Sequence, residues 1–221
     1  VTSSIATITE LYVQNKGIAD LTGIEDFTDL NYLNCKENNL TSLDLRFNYK
    51  LRDIFATQNP FLSQLIFPDS AFTPIPSLVP PANGIWRVYL DACNFSSINL
   101  PSTYSINRLF LNDNPLSSLD LSNQQYLEYL KVYNTDLVSL DLRNNSNIEE
   151  LHAGNCDSLS ELDLRNGNIV NLNQHNLNGN PNLSCISVDN LSLANALLTN
   201  IDPWVSFSMN CTGLGCTDST A

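Results

Sequence analysis

Three observations predict that this 221-residue chain is a mainly β solenoid of about eight coils, with two parallel sheets of short strands, little helix and a C-terminal cap. Apolar-x-apolar pairs recur at Leu11/Val13, Leu33/Cys35, Ile54/Ala56, Val88/Leu90, Leu109/Leu111, Leu130/Val132 and Leu151/Ala153, in steps of 22, 21, 34, 21, 21 and 21 residues. A second set interleaves at Leu43/Leu45, Leu65/Phe67, Ile98/Leu100, Leu119/Leu121, Leu140/Leu142, Leu162/Leu164 and Ile186/Val188. Asparagine recurs three residues beyond many pairs, at Asn38, Asn48, Asn59, Asn114 and Asn145.

The strands come first. An apolar-x-apolar triplet is a very short strand with two side chains facing one way, and a single one cannot bury its own face. Copies stacked at about 4.8 Å bury it continuously. In LEYLKVYNTDLVSLDLRNNSN, residues 127–147, the phrase apolar-x-x-apolar-x-apolar occurs twice, as Leu127, Leu130, Val132 and as Leu137, Leu140, Leu142. Each coil therefore carries two strands, one per side, both sending Leu into a narrow core. The asparagines follow as turn residues, whose side chains bond backbone groups that would otherwise be buried unpaired. Stacked coils align them into a ladder, with Cys93, Thr135 and Cys156 in the same slot.

The 34-residue step holds an insertion, PDSAFTPIPSLVPPANG at 68–84, with five of the ten prolines. Proline cannot donate into a ladder, so this is a loop projecting from one edge, either a tolerated insertion or a contact loop. Leu172 is expected to continue the first series and Asn173 its outward column, after which the period fails, because Gln174 falls where an apolar residue belongs. SLANALL at 192–198 reads as a short helix, and Leu193, Leu197, Leu198 and Trp204 are expected to bury the last coil. The chain thus divides into a solenoid at 1–176 and a cap and tail at 177–221.

Composition narrows the function. A net charge of −13 argues against nucleic acid and anionic membrane surfaces, since both recruit clustered Lys and Arg. No run of 18 apolar residues exists to insert into a membrane, and no charged-then-apolar leader opens the sequence. Two histidines and no nucleophile elbow, HExxH, P-loop or dinucleotide fingerprint argue against an enzyme and against a cofactor. No paired CxxC motifs point to zinc.

LNYLNCKENNLTSLDL and its relatives along residues 8–190 resemble the leucine-rich repeat family, in the bacterial subclass with a nested 21-residue period. GIADLTGIEDFTDLNYL is similar to the first repeats of internalin-like and secreted Bacteroidetes proteins, and NPNLSCISVDN followed by SFSMNC resembles the cap that closes them. The resemblance implies a secreted or cell-surface binding protein engaged in recognition or adhesion. It also implies a Cys185–Cys211 bond closing a loop of about 27 residues, worth roughly 3–4 kcal/mol in the chain-entropy model. Cys185–Cys216 and Cys211–Cys216 stay open as alternatives. Cys35, Cys93 and Cys156 lie coils apart, too distant to pair with one another, and are read as packing or turn residues.

The free surface of a solenoid is its outward strand positions. On the first sheet these are Tyr12, Asn34, Phe55, Tyr89, Phe110, Lys131 and His152, flanked by Tyr32, Asp53, Arg87, Arg108, Tyr129 and Glu150 before them and by Lys36, Asp91, Asn112 and Tyr133 after. Tyr12, Tyr32, Phe55, Arg87, Tyr89, Arg108, Phe110, Tyr129, Lys131, Tyr133 and His152 are the candidate ligand-binding residues, because aromatics with Arg are typical interface anchors. The plainer reading is that they are ordinary cross-strand neighbours. The second sheet presents Asp44, Asp120, Asp141 and Asp163, with Arg46, Arg143 and Arg165 two residues further on, which reads as a solvated, partly paired ladder. The expected partner is an extracellular protein. The alternatives are an extracellular polysaccharide stacking on the rings, or self-association through an open N-terminal strand edge.

Overall fold

A coil that must turn twice in about 21 residues leaves room for strands of only a few residues. Every strand in the computed structural model, which describes residues 4–68, 87–102 and 105–211, is three residues long. In chain order they are β1 (Glu10–Tyr12), β2 (Tyr32–Asn34), β3 (Ser42–Asp44), β4 (Asp53–Phe55), β5 (Gln64–Ile66), β6 (Arg87–Tyr89) and β7 (Arg108–Phe110). They continue as β8 (Tyr129–Lys131), β9 (Ser139–Asp141), β10 (Glu150–His152), β11 (Glu161–Asp163), β12 (Gln174–Asn176), β13 (Cys185–Ser187) and β14 (Ser206–Ser208).

The first sheet runs β1-β2-β4-β6-β7-β8-β10-β12, all parallel. Its register aligns Leu11, Leu33, Ile54, Val88, Leu109, Leu130 and Leu151 in one inward row. Ile54 pairs with Val88 across the 34-residue step, so the insertion leaves the ladder intact. All of that insertion but Pro68 lies outside the described residues. The six row members from Leu33 to Leu151 are wholly buried. Each such side chain contributes roughly 1.5–3 kcal/mol of hydrophobic burial, enough in aggregate to offset the entropy of ordering the strands.

The second side is divided rather than continuous. β3 pairs β5, and β9-β11-β13-β14 form a separate parallel sheet. The predicted pairs Ile98/Leu100 and Leu119/Leu121 still pack against the core but carry no strand. Pro101 follows Leu100 directly and Pro115 opens the next connection, and a residue without an N–H cannot extend a ladder there.

The asparagine slot forms two columns, one on each side of the solenoid, where a single ladder was expected. On the first side Asn114 Nδ2 donates to the carbonyls of Leu90 and Leu111, both at 2.9 Å, while its Oδ1 accepts from Phe95 N–H at 3.0 Å. Asn59 repeats this with Cys35, Ala56 and Leu40. Each amide therefore ties its own coil to the preceding one. Cys93 and Cys156 fill the slot with a thiol 3.3 Å from the preceding coil's carbonyl. Burial pushes the Cys35 and Cys93 thiols up to about 12, which makes them inert packing groups. Asn48 and Asn145 belong to the other column, with Gln124 in the same slot, and bond carbonyls there.

One residue ahead of each first-side slot the chain enters the left-handed region, at Glu37, Gln58, Ala92, Asp113, Asn134 and Asn155, and at Gly179 with φ 79°. A Cβ at Gly179 would lie 2.2 Å from Asn155 Oδ1 and 3.1 Å from the Asn155 nitrogen, and one at Gly154 would lie 2.6 Å from the Asn178 carbonyl oxygen, so both places favour glycine.

The C-terminal end departs from expectation. β12 aligns His175 with Leu151 and Asn176 with His152, so the coil is three residues longer than the period predicts. A 3-10 turn at Ile169–Asn171 absorbs the extra length. Asn176, not Asn173, continues the outward column, and Gln174 sits opposite the outward Glu150. The helix α1 spans Leu191–Leu197, with the Asn190 side chain accepting from Leu193 N–H as its N-cap. Ala194 and Leu198 are buried and Leu193 packs on the core, but Leu197 is 40% and Trp204 54% exposed, so these two do not cover the last coil. The lid is instead a further layer of the solenoid: β14 extends β13, and Leu177 bridges Ile201. A Cys185–Cys211 disulfide, with Cα atoms 5.9 Å apart, holds the chain after β14 to β13. Cys216 lies outside the described residues.

Candidate functional site

Parallel in-register pairing brings residues 20 or more positions apart to within one strand spacing of each other. On the outward face of the first sheet this builds an unbroken run of five rings. Tyr12 and Tyr32 are 5.1 Å apart between centroids, Tyr32 and Phe55 5.1 Å, Phe55 and Tyr89 4.8 Å, and Tyr89 and Phe110 4.3 Å with planes 2° from parallel. Exposure is uneven. Tyr12 is 54% exposed and hydrogen-bonds Glu10, whereas Phe55, expected among the exposed rings, is only 8% exposed. Tyr32 and Tyr89 flank Phe55, and Lys36 and Arg87 lie 5.6 and 5.3 Å from its centroid. Phe55 is thus a support beneath the face, and Tyr89 and Phe110 form its half-buried centre.

The cations are arranged around the rings. Arg87 makes a two-pronged bond to Asp53, at 2.7 Å from both Nε and Nη2. Lys131 lies 4.6 Å from the Phe110 centroid and 2.9 Å from Glu150 Oε1. Burial works to raise the Glu150 carboxyl, but Lys131 and His152 outweigh it and hold that carboxyl below its ordinary value. His152 Nε2 lies 3.0 Å from the same oxygen. Arg108 places its guanidinium 4.0 Å over the Tyr129 ring.

Across the ring column lies a small acidic cluster that the sequence reading only half saw. Asp91 is among the flanking residues expected from the sequence; Asp113 and Asn134 are not among the residues singled out there. Asn112 and Asn134 both donate to Asp113, at 2.7 Å. Asp91 Oδ1 is buried without a hydrogen-bond partner, and burial, with a smaller push from Asp113, raises its carboxyl to about 6. Tyr133 stands beside them, and burial first and then Asp113 and Asp91 raise its phenol. The available signal for Asp113 and Asn134 is their place 21 residues apart, each one residue ahead of a turn slot, at Asn114 and Thr135.

On the second side the arginines are internally paired. Arg46, Arg143 and Arg165 each fold back on the aspartate two residues earlier, with Nη2–Oδ2 distances of 2.8, 2.6 and 2.6 Å. These hydrogen bonds lower the Asp44 and Asp141 carboxyls, and backbone donation from Ser122 lowers Asp120. Among the described residues no cluster of three or more His, Cys, Asp or Glu could hold a metal ion. No helix of the described residues is long and apolar enough to cross a membrane.

No family model matches the chain. Over 44 residues it is 52% identical to Internalin J of Listeria monocytogenes serotype 4b, a match covering 20% of this chain and 5% of that protein. Among solved structures, an internalin (InlF) of L. monocytogenes 4b F2365 superposes with a TM-score of 0.58 at 21% identity, over 92% of this chain and 60% of the other. The functional domain of InlJ from L. monocytogenes, which includes a cysteine ladder, gives 0.49 at 20% identity over 90% and 52%. The chain spans only about a twentieth of the curated relative and just over half of these two solved chains. The repeat read from the residues and the superposition agree on one conclusion: the chain is a leucine-rich repeat solenoid with the fold of the Listeria internalins.

Proposed function

We propose that this chain is an extracellular recognition module that binds a protein partner through the outward face of its first sheet, without catalysis and without a cofactor. The observation that carries the reading is the run of rings from Tyr12 to Phe110, set on one rigid sheet and bordered by Arg87, Arg108, Lys131 and His152. Rings and guanidinium groups held in place lose little conformational freedom on binding, which favours affinity. Tyr129 and Tyr133 widen the patch beyond the stacked run. The Cys185–Cys211 bond supports an oxidising, extracellular setting. On the second side Arg46, Arg143 and Arg165 are each paired with an aspartate of the same coil and offer a partner less.

The test is a binding array of extracellular proteins and polysaccharides probed with the native chain, a Tyr89→Ala/Phe110→Ala variant and an Arg143→Ala control. The expected result is a protein whose affinity falls by tenfold or more, about 1.4 kcal/mol or above, in the double variant and holds in the control. Binding that survives the double variant would sink the reading, and binding confined to polysaccharides would replace protein with carbohydrate.

A further inference from the structure

The proposed binding face is not uniform in charge, and one cation on it stands apart. Register places Arg87, Arg108 and Tyr129 side by side in one row, on β6, β7 and β8. Arg87 is neutralised by Asp53, and Lys131, in the neighbouring row, by Glu150. Among the described residues Arg108 has no carboxylate partner and no side-chain hydrogen bond. The acids of its own row, Asp53 beyond Arg87 and Glu150 beyond Tyr129, stand two strands away on either side, roughly 10 Å, and are already paired with Arg87 and Lys131. Asp91 and Asp113 lie across the ring column. Asp113 is already held by two asparagine amides.

The orientation of Arg108 matters as much as its isolation. Its guanidinium carbon lies over the Tyr129 ring, 4.0 Å from the centroid, so the ring covers one side of the group while its five N–H donors carry no hydrogen bond among the described residues. A guanidinium presents its donors as a planar fork that matches a carboxylate two-to-two. The Tyr89–Phe110 stack follows Arg108 along the same strands and offers an apolar seat next to it.

We infer, resting on the protein-binding reading above, that Arg108 is the specificity-determining residue of this face: it receives an Asp or Glu carboxylate from an extended segment of the partner, whose adjoining apolar side chain packs on Tyr89 and Phe110. The occupant follows from charge complementarity. A cationic segment would meet an uncompensated Arg108, and a neutral one would leave its donors desolvated and unpaired.

The experiment is selection from a displayed random-peptide library on three baits: the native chain, Arg108→Gln and Tyr89→Ala/Phe110→Ala, each checked for an unchanged melting transition. The expected outcome is enrichment on the native bait of peptides with Asp or Glu beside an apolar residue. The synthetic winner should lose about tenfold to a hundredfold in affinity with Arg108→Gln. Changing its acid to the amide should cost the same on the native chain and little more on Arg108→Gln, and Arg108→Lys should restore part of the loss. Peptides that need Tyr89 and Phe110 but carry no acid, or ignore Arg108→Gln, would overturn this inference and leave the face reading intact. Absence of any peptide dependent on Tyr89 and Phe110 would overturn both. Binding of polygalacturonate alone, abolished by Arg108→Gln, would overturn the protein source and assign the carboxylate to an acidic sugar.

Discussion

Asp91 shows how a single side chain departs from what its type predicts. It stands two residues after Tyr89 on a strand face and reads as an ordinary surface acid, yet burial lifts its carboxyl to about 6 and one oxygen has no partner. With the folded value above the unfolded one, the native state binds the extra proton. Its stability contribution is therefore complete below about pH 4 and is lost as pH rises towards 6. Asp91→Asn removes the charge and keeps the shape, so it should stabilise the fold at pH 7.5 by about 1 kcal/mol, allowing for partial exposure. Urea unfolding at pH 7.5 and pH 4.5 measures this directly. A variant no more stable than the native chain at pH 7.5 would mean that the carboxylate is better solvated than its burial indicates. The ring column itself was legible, because period-two alternation names outward positions. The depth of Phe55 was not, since it depends on which neighbours lean over it.

At the scale of elements, the eighth coil is the instructive one. His175 takes an inward position where the other coils place Leu, Ile or Val, and its Nε2 accepts from the backbone N–H groups of Thr199 and Asn200 at 3.2 and 3.3 Å. That requires the neutral ring with its proton on Nδ1. Burial first, and His152 second, lower its pKa below the ordinary 6.5. A depressed histidine leaves the unfolded chain binding more protons, so stability is complete above about pH 6.5 and declines as pH falls through that value. Amide exchange at Thr199 and Asn200, corrected for intrinsic rates, should accelerate between pH 7 and pH 5.5 while that of Leu111 does not. Equal behaviour at all three amides would show that His175 does not govern this tie. Sequence reading ended the period here because three extra residues in a 3-10 turn shift every later position, and a shift of one already reverses inside and outside.

For the molecule as a whole, nearest-neighbour stacking makes stability a sum over coils rather than a property of one core. The disulfide acts at the far end, fastening the chain after β14 to β13. Cys185→Ser/Cys211→Ser should lower stability by about 3 kcal/mol in the chain-entropy model. The loss should be local. Exchange at Val188, whose N–H bonds the Ser208 carbonyl, should quicken far more than at Leu111, just after the seventh strand, whose N–H bonds the Lys131 carbonyl. A uniform increase at both amides would mean that the solenoid unfolds as one unit. The 34-residue step teaches the same lesson: Ile54 and Val88 pair in register despite it, because an excursion at one edge leaves the stacked strands untouched.

Periodicity alone determined the solenoid, its inward rows, its ladder slots and the outward column, because each follows from a repeat that a single strand cannot satisfy by itself. Tertiary structure decided which outward residues are left free. Arg87, Arg108 and Lys131 look alike in the sequence, and only the packed sheet pairs the first with Asp53 and the last with Glu150 while leaving Arg108 on Tyr129. The physical reason is range: strand pairing is dictated by a local pattern repeated, whereas the partner of a long charged side chain depends on which of several rotamers meets an opposite charge on an adjacent coil.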